Sequence, residues 1–568
     1  MKKIFPLLFL IFISCNGSKS LFQKNNLDPY KYSTNKKISV SRGAVVSAHP
    51  LASQVGLAIL KEGGNAFDAA IATQLALAVV YPGAGNLGGG GFMVAVMNDG
   101  NAVSLDYREK APAAAHRDMY LDENGNVMEG KSVNGHLASG VPGTVAGLFE
   151  THKYAKLPFS KLIEPAIELA EKGFAITEAE ATSLNRIQDA LKKYNTMTSA
   201  FHNEKPWKEG DILVQKDLGE TLKRIKENGQ KGFYEGRTAE LVEEEMKRGG
   251  GIITQQDMKN YQAKWRTPHS FDYRGHKIIS MPLPSSGGIL LNQMLKMLEP
   301  MDLAKMGFHS PQAVQLMIEV ERRAYADRAE YMGDADFYNA PVVAITEENY
   351  LKERMQDFIP GKAGSSEITK PGMVDISEET THLSVTDNYG NAVAVTTTLN
   401  NGYGSKTVVG GAGFLLNDEM DDFSVKPGVP NIYGAVGGEA NAIVPGKRML
   451  SSMTPTIVLK NNKPYLVVGT PGGTTIPTSV FQTIVNILDF GMNAEDAVNK
   501  PKFHHQWLPD RVDVERDFPS SLSSALTGMG YKINPRSPIG RTEVILIKPN
   551  GSMEAVADKR GDDSAAGY

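Results

Sequence analysis

A predicted β-hairpin over residues 380–399 constrains the fold of this chain more than any other segment does. Two runs of strand-forming residues, 380–386 and 392–399, flank the short polar loop 387–391. Gly390 in that loop can adopt the positive φ that a short hairpin connection needs. The hairpin requires two adjacent antiparallel strands in a sheet, with side chains that alternate between its two faces.

The register of the hairpin follows from symmetry about Tyr389, which places Thr380 opposite Thr398. One face is then apolar and carries Leu383, Val385, Val393 and Val395. The other face is polar and carries Thr380, His382, Thr396 and Thr398. Threonine-rich strands usually form solvated faces of sheets. The hairpin alone therefore leaves a structural and a catalytic interpretation of Thr380 open.

The segments around the hairpin predict sheets that are covered by helices. Helical periodicity spans residues 51–61 and 66–80, and Asn65 is a suitable cap for the second helix. Residues 157–355 predict mostly helices with Lys- and Glu-rich faces and little chemistry. After the hairpin, further strand pairs are predicted at 456–459 with 465–469 and at 542–547 with 553–557, and a helix at 480–490. This order indicates an α+β chain built as a four-layer αββα sandwich with helical insertions.

The glycine-rich run 83–91 does not predict a nucleotide-binding loop. Such a loop follows a strand and opens a helix. Here a predicted helix precedes the run and a predicted strand follows it from Phe92. We therefore expect these glycines to let backbone pass close to other backbone or to a ligand.

Composition and charge narrow the possible classes of function. With 568 residues, of which 41% are hydrophobic, the chain can form a large packed enzyme. A net charge of −4 argues against nucleic acid as a partner, because nucleic-acid binders carry a basic surplus. The adjacent pair His504-His505 does not have the spacing of metal ligands, and no cysteine is available to complete a site there.

The first 15 residues predict an export signal. Met1-Lys2-Lys3 is basic, the apolar run 4–13 is too short for a membrane span, and the signal ends at Cys15. This ending resembles a bacterial lipoprotein signal, in which the cysteine becomes the lipidated first residue; a plain secretory signal is the alternative. Residues 16–38 are polar and predict a flexible tether. We therefore expect an exported bacterial protein that is periplasmic or held at the outer membrane by a lipid anchor.

Eight motifs together resemble the γ-glutamyltransferase family, the glutathione hydrolases of the N-terminal nucleophile hydrolase superfamily. They occur in the family's order and cover nearly the whole chain. The motifs are Gly85-Asn86-Leu87-Gly88-Gly89-Gly90-Gly91-Phe92, Asp106-Tyr107-Arg108-Glu109, His136-Leu137-Ala138-Ser139-Gly140-Val141-Pro142-Gly143, Thr380-Thr381-His382, Asn417-Asp418-Glu419-Met420-Asp421-Asp422-Phe423, Leu450-Ser451-Ser452-Met453-Thr454-Pro455-Thr456, Gly469-Thr470-Pro471-Gly472-Gly473 and Phe503-His504-His505-Gln506-Trp507.

The resemblance implies a precursor that cleaves its own Glu379–Thr380 bond. The products would be a large subunit, residues 39–379, and a small catalytic subunit, residues 380–568, which remain together as a heterodimer. Cleavage would give Thr380 a free α-amine, whose pKa is about 8, so that a useful fraction is neutral near pH 7. The nucleophile and its general base would then belong to one residue.

The resemblance also assigns roles to other positions. Thr398 would orient the nucleophile, and the backbone N–H groups of Gly472 and Gly473 would bind the oxyanion. The remaining roles concern the two charged groups of a γ-glutamyl ligand, with a cationic and an anionic clamp at its opposite ends. Arg108, Ser451 and Ser452 would bind the α-carboxylate; Asn400, Glu419 and Asp422 would bind the α-ammonium; Tyr433 would gate a lid over the site.

The implied activity is transfer of a γ-glutamyl group from glutathione or a related small molecule to water or to an amine, without a metal or an organic cofactor. One alternative on the same fold is an acylase for glutaryl side chains, such as those of β-lactams. It would have no α-ammonium to bind, and Asn400, Glu419 and Asp422 argue against it. A second alternative, from another class, is a surface-tethered binding lipoprotein that is never processed.

Overall fold

The computed structural model describes residues 20–367, 380–429, 431, 434 and 437–568. The predicted export signal with Cys15, the residue Glu379 before the predicted cleavage point, and Tyr433 lie outside the described residues. Within the described ranges, no helix combines the length and the apolar character that a membrane crossing requires.

The strands β1–β19 in the described part of the chain are, in order, Lys37–Val40, Ala44–Ser47, Gly90–Val96, Ala102–Asp106, Phe174–Ala175, Ile212–Leu213, Lys264–Arg266, His269–Tyr273, His276–Ser280, Thr381–Thr386, Ala392–Thr398, Thr456–Lys460, Lys463–Gly469, Phe503–His504, Val512–Glu515, Ile533–Arg536, Glu543–Ile547, Met553–Val556 and Ser564–Gly567.

The helices α1–α19 in the same ranges are Leu21–Asn25, Pro50–Lys61, Ala66–Val80, Thr144–His152, Phe159–Lys172, Glu178–Arg186, Gln188–Tyr194, Lys216–Asn228, Lys231–Tyr234, Gly236–Gly249, Gln255–Lys259, Gly287–Leu298, Leu303–Met306, Pro311–Tyr331, Val342–Thr346, Glu348–Arg354, Thr475–Leu488, Ala494–Asn499 and Ser520–Gly528. Short 3-10 helices occur at His136–Ala138, Glu419–Asp422 and Glu439–Asn441.

Two seven-stranded antiparallel sheets form the centre of the molecule. Sheet I has the strand order β1-β18-β17-β13-β12-β9-β8, and sheet II has the order β19-β2-β10-β11-β3-β4-β7. The two sheets pack face to face through small and branched apolar side chains, including Val46, Val94, Ala394, Ile457 and Ile545. The inner faces of both sheets are therefore closed to water.

Helices cover the outer face of each sheet. Helices α2 and α3 pack on the outer face of sheet II, and helix α5 packs on α3, through a large apolar cluster. Helices α12 and α17 pack on sheet I, and helix α14 packs on α12, through a second cluster. The four-layer αββα sandwich predicted from the order of elements is confirmed.

The hairpin over 380–399 lies in the middle of sheet II as strands β10 and β11. Its observed register pairs Thr381 with Thr397 and Leu383 with Val395, which confirms the predicted symmetry about Tyr389. Both faces are buried, because the apolar face packs against the α2–α3 layer and the polar face points toward sheet I. The hydroxyl-rich face is thus an internal polar surface and not a solvated one.

Helix α3 begins where the sequence predicts, because the side chain of Asn65 accepts hydrogen bonds from the backbone N–H groups of Phe67 and Asp68. The glycine run that follows brings backbones together. A Cβ on Gly88 would lie 2.1 Å from the carbonyl oxygen of Leu415, and a Cβ on Gly89 would lie 2.1 Å from that of Thr398. Both contacts exclude any side chain, so the predicted role of close approach is confirmed.

Two expectations need correction. Residues 157–355 contain the strands β7, β8 and β9, which join the edges of both main sheets, and they also contribute to the cleft described below. The predicted flexible tether, 16–38, is wrong from residue 20 onward: Ser20 caps the short helix α1, Phe22 is buried in the main core, and Lys37 starts β1. Apolar anchors such as Phe22 hold a polar segment against the body, and composition alone does not reveal them.

Candidate active site

Thr380 and Thr398 meet at one end of the hairpin. Their hydroxyl oxygens lie 3.4 Å apart, and both residues are buried. The backbone N–H of Asn400 donates a 2.8 Å hydrogen bond to the Thr398 hydroxyl oxygen. Because that oxygen already accepts a bond from Asn400, the hydroxyl hydrogen of Thr398 remains for Thr380. Thr398 can therefore orient the Thr380 oxygen.

The end of strand β11 that carries Thr398 is held by Asn86. The Asn86 amide donates to the carbonyl oxygen of Thr398 at 2.9 Å and to the hydroxyl of Thr397 at 3.2 Å. Its own carbonyl oxygen accepts hydrogen bonds from the N–H of Gly89 and the hydroxyl of Thr144. This network explains why the glycine run passes so close to Thr398, and it gives the threonine pair a rigid support.

A cleft opens over the two threonines. It brings together most of the site residues that the sequence predicts, along with several that it does not. The lining residues are Arg108, Arg328, Thr380, Thr398, Asn400, Asp422, Asn431, Ser451, Ser452, Met453, Gly473, Thr474 and Ile476. Gly472 precedes Gly473 at the edge of the cleft, and Glu419 is fully buried against Arg108.

Arg108 lies two residues after strand β4, and its guanidinium is buried. Nη1 lies 2.5 Å from Oε2 of Glu419 and 3.6 Å from Oε2 of Glu109, and Nη2 contacts Asp422. The sequence predicts a cationic clamp and an anionic clamp at opposite ends of a ligand, and that detail is wrong. The α-carboxylate and α-ammonium of an amino acid share one carbon, so a ligand that binds through both groups needs adjacent clamps.

The three carboxyl groups around Arg108 have shifted pKa values. Burial raises the pKa of Glu109 to about 8, although Arg108 opposes the shift. Burial also raises the pKa of Glu419 well above its ordinary value and raises the pKa of Asp422, again against the influence of Arg108. Desolvation dominates because a single guanidinium cannot compensate three buried carboxylates. An added cationic group would favour their ionised forms.

Asn400 follows strand β11 with a positive φ of 77°, a conformation that asparagine tolerates better than most residues do. Its side-chain amide donates a 3.0 Å hydrogen bond to the carbonyl oxygen of Asp418, just before the 3-10 helix Glu419–Asp422. Asn400 therefore ties the threonine pair to the segment that carries the two acidic residues.

Gly472 and Gly473 lie between strand β13 and helix α17. Both have positive φ values, 134° and 46°, which favour glycine. No described residue accepts a hydrogen bond from either backbone N–H, and the carbonyl oxygen of Gly472 accepts one from the N–H of Thr475 at 2.8 Å. The two N–H groups precede the first turn of a 14-residue helix, whose dipole favours negative charge there. They are suited to stabilise an oxyanion.

Arg328 is the main residue of the cleft that sequence reasoning misses. It lies near the end of helix α14, where the sequence predicts only a charged outer face. Its Nε and Nη2 atoms donate to the hydroxyl oxygens of Ser286 and Ser452, each at 3.1 Å. No local pattern signals this contact, because charges on all sides of a helix ordinarily indicate an exposed helix or one stabilised by ion pairs along its surface.

Comparisons with known proteins agree with this geometry. Residues 52–568 match the sequence family described as Gamma-glutamyltranspeptidase. The chain is 48% identical to the glutathione hydrolase proenzyme of Escherichia coli strain K12 over 94% of this chain and 93% of that protein.

Two solved structures are also similar. The γ-glutamyltranspeptidase of Helicobacter pylori is 46% identical, with a TM-score of 0.56, over 60% of this chain and 97% of that chain. The cephalosporin acylase of Bacillus halodurans is 26% identical, with a TM-score of 0.82, over 95% of this chain and 99% of that one.

Proposed function

Because this chain belongs to the gamma-glutamyltranspeptidase family, we propose that it is a self-cleaving γ-glutamyl transferase and glutathione hydrolase with Thr380 as its nucleophile. One observation carries the proposal: the Thr380 hydroxyl oxygen lies 3.4 Å from that of Thr398, in a cleft that Arg108 and Asp422 also line. A paired hydroxyl nucleophile beside adjacent cationic and anionic groups suits acyl transfer from an amino acid's side-chain amide.

Self-cleavage creates the working nucleophile. In the uncut chain the Thr380 nitrogen is a peptide nitrogen. The Thr380 hydroxyl oxygen attacks the carbonyl carbon of Glu379, the C–N bond breaks, and the nitrogen takes up the proton to become an amine. Water then hydrolyses the resulting ester, which leaves a carboxylate on Glu379 and a free α-amine on Thr380. Residues 39–379 and 380–568 become the two subunits of a heterodimer.

The same hydroxyl then attacks the γ-carbonyl carbon of the donor. The Thr380 amine accepts the hydroxyl proton and passes it to the leaving amine, so that a γ-glutamyl ester forms as the donor amide bond breaks. The N–H groups of Gly472 and Gly473 stabilise the oxyanion of the tetrahedral intermediate. Water, or the amine of an acceptor, attacks the ester and restores Thr380.

The amino-acid end of the donor binds at Arg108. Arg108, Ser451 and Ser452 bind the α-carboxylate, while Glu419, Asp422 and Asn400 bind the α-ammonium. The contact between Arg108 and the two carboxylates supports this division, because both ligand groups share one carbon. The role of Tyr433 as a gate remains a prediction, since this residue lies outside the described part of the chain.

The glutaryl acylase is the competing enzyme. The 26% identity to a cephalosporin acylase supports this alternative. A glutaryl donor has the carboxylate but no ammonium, so it would leave the buried carboxyl groups of Glu419 and Asp422 without a cationic ligand group. The stronger likeness, at 48% identity, is to a protein named glutathione hydrolase. We therefore assign γ-glutamyl compounds, and glutathione among them, as donors.

Denaturing electrophoresis with N-terminal sequencing tests the cleavage. The wild-type protein should give two chains, and the smaller one should begin Thr-Thr-His-Leu; Thr380→Ala should give one chain, and Thr380→Ser should still give two. Kinetics with γ-glutamyl-p-nitroanilide and glutaryl-p-nitroanilide then test the donor. A wild-type protein that stays uncut and inert would support the binding lipoprotein instead, and a preference for the glutaryl donor would support the acylase.

The cellular location is a further part of the proposal. The basic start, the short apolar run and Cys15 support export with lipidation at Cys15, and thus placement in the periplasm or at the outer membrane of a bacterium. Mass spectrometry of the mature N-terminus tests this. An acylated Cys15 is expected. An unmodified terminus after cleavage at another residue would indicate a plain secretory signal.

A further inference from the structure

Arg328 is a buried arginine that no described carboxylate pairs with. It is 8% exposed and lines the cleft, yet its described side-chain hydrogen bonds go only to the hydroxyls of Ser286 and Ser452. Buried charges are normally paired. Arg108, in contrast, contacts Glu419 and Asp422, and its other donors reach the carbonyl oxygens of Met449 and Leu450. Arg328 is therefore the less neutralised of the two guanidinium groups.

The bond from Arg328 determines how Ser452 can act. A guanidinium has only donors, so the Ser452 hydroxyl oxygen must accept. The hydroxyl hydrogen of Ser452 then has to be donated elsewhere, and no described residue accepts it. Because Ser452 lines the cleft, its hydrogen is directed toward a ligand acceptor. Arg328 thus converts Ser452 into an oriented donor.

The supporting segment is also fixed. The hydroxyl and the backbone N–H of Ser286 both donate to the carbonyl oxygen of Ser451 at 2.8 Å, while the Ser286 hydroxyl oxygen accepts from Arg328. The loop before helix α12, the end of helix α14 and the Ser451–Ser452 segment therefore form one hydrogen-bonded unit. Arg328 connects helix α14 to this hydrogen-bonded unit.

We propose that Arg328 is a positioning and specificity-determining residue for the α-carboxylate of the donor: it directs the Ser452 hydroxyl hydrogen into the cleft and supplies the positive charge that the ligand carboxylate requires. This inference rests on the proposed function. Burial lowers the pKa of Arg328, which indicates that an anionic neighbour is energetically favourable there. The ammonium of the donor interacts with Glu419 and Asp422. Arg328 acts on Asp422 electrostatically but donates its side-chain hydrogen bonds to Ser286 and Ser452, so ammonium binding should depend on Arg328 much less than carboxylate binding does.

Three p-nitroanilide donors separate the contribution of the donor carboxylate from that of the donor ammonium. The γ-glutamyl compound has both charged groups, the glutaryl compound has only the carboxylate, and the 4-aminobutyryl compound has only the ammonium. Arg328→Met should lower kcat/KM for the two carboxylate-bearing donors about 10- to 100-fold, mainly through KM, and leave the 4-aminobutyryl donor within about threefold. Arg328→Lys should restore part of the loss, because an ammonium keeps the charge but not the planar fork.

The matched control is Arg323→Met. Arg323 is a buried arginine on the same helix that pairs with Glu319 and Asp357, away from the cleft lining. Its loss should lower the Tm without changing the ratio of kcat/KM between the γ-glutamyl and 4-aminobutyryl donors. Electrophoresis shows whether each variant has cleaved itself and is therefore folded. If Arg328→Met does not fold, Arg328→Lys and Ser452→Ala answer the same question.

In a double-variant cycle, Arg328→Lys should have a smaller effect on the γ-glutamyl donor in the Ser452→Ala background than in the wild type. Equal losses for all three donors, unchanged kinetics, or full additivity with Ser452→Ala would overturn the proposal. Failure of the proposed function would differ from each of these outcomes. In that case the wild-type protein itself would not cleave, or it would not favour the γ-glutamyl over the 4-aminobutyryl donor.

Discussion

Nη1 of Arg108 lies 2.5 Å from Oε2 of Glu419, and both side chains are buried. Asp422 contacts the same guanidinium, and Glu109 lies 3.6 Å from it. The site therefore holds three carboxyl groups around one arginine, away from water. Either protonation or a cationic ligand can offset this excess of negative charge, so ligand binding and protonation compete at this site.

Glu419→Gln should raise KM for γ-glutamyl-p-nitroanilide about 10-fold near neutral pH, because an ammonium binds an ionised carboxylate more strongly than an amide. Burial raises the pKa of Glu419, which favours the neutral form of its carboxyl group. In the proposed site, the ammonium of the donor binds the ionised form. Affinity should therefore increase as the pH rises through the raised pKa and be lost as the pH falls. In Glu419→Gln, the dependence of affinity on pH should be weaker. The measurement is KM between about pH 5 and 9.

The glutaryl donor is the control for that experiment. It has no ammonium, so its KM should not improve as Glu419 ionises. Glu109, whose pKa is also raised, should leave a residual pH dependence in the variant. An unchanged pH profile in Glu419→Gln would contradict the assignment of this carboxylate to the ammonium.

Thr398→Val should lower kcat about 10- to 100-fold and slow self-cleavage, with little change in KM. Valine keeps the shape of the residue but removes the hydroxyl that faces Thr380 and that accepts the N–H of Asn400. The loss corresponds to about 1–3 kcal/mol for an unsatisfied buried group and an unoriented nucleophile. Stopped-time electrophoresis measures the cleavage, and p-nitroaniline release measures kcat.

Thr398→Ser is the matched control, because it retains the hydroxyl and should keep kcat within about fivefold of the wild type. Wild-type kcat in Thr398→Val would show that the 3.4 Å contact with Thr380 has no part in the reaction.

The hairpin could be predicted in detail because its determinants are local. Alternation with period two assigns each side chain to a face, and the loop around Gly390 sets the register, so the pairing of Thr380 with Thr398 followed from the sequence. The order of predicted helices and strands was likewise sufficient to predict the layered fold. Such patterns are encoded among residues that are close to one another in the sequence.

The electrostatics of the site could not be predicted in that way. Arg328 reaches the cleft only because helix α14 is buried among neighbouring helices, and nothing adjacent in sequence indicates that it meets Ser452. The contact of Arg108 with Glu419 likewise joins strand β4 to a distant 3-10 helix. Tertiary packing decides which charges meet, and single-sequence patterns do not report it.

Glu109→Gln should reduce the pH dependence of stability. The pKa of Glu109 is raised to about 8 in the folded protein, compared with about 4.3 when unfolded. The folded state therefore binds the proton more tightly. The stability contributed by the protonated carboxyl is complete below about pH 4 and is lost as the pH rises toward 8. The Tm of the wild type should thus fall more steeply between about pH 5 and 8 than that of Glu109→Gln.

Glu123→Gln is the control for Glu109, because Glu123 is an exposed residue and its substitution should reproduce the wild-type slope of Tm against pH. Glu109 raises the pKa of Glu419, so the difference in slope reports Glu109 together with its effect on Glu419, while carboxyl groups that do not interact with Glu109 titrate equally in all three proteins. Parallel curves for Glu109→Gln and the wild type would refute the raised pKa.

Gly89→Ala should lower the Tm and slow self-cleavage. The added Cβ would lie 2.1 Å from the carbonyl oxygen of Thr398 and 2.8 Å from the Asn86 side chain, so the strand end that carries Thr398 must move. Overpacking of this kind costs about 1–3 kcal/mol, and here it would also displace the partner of Thr380. Gly83→Ala is the matched control in the same run, because its Cβ would have no neighbour closer than 3.8 Å. Calorimetry should show a lower Tm, and timed electrophoresis should show slower self-cleavage, for Gly89→Ala alone. Equal behaviour of the two variants would mean that the glycine run tolerates side chains and does not position Thr398.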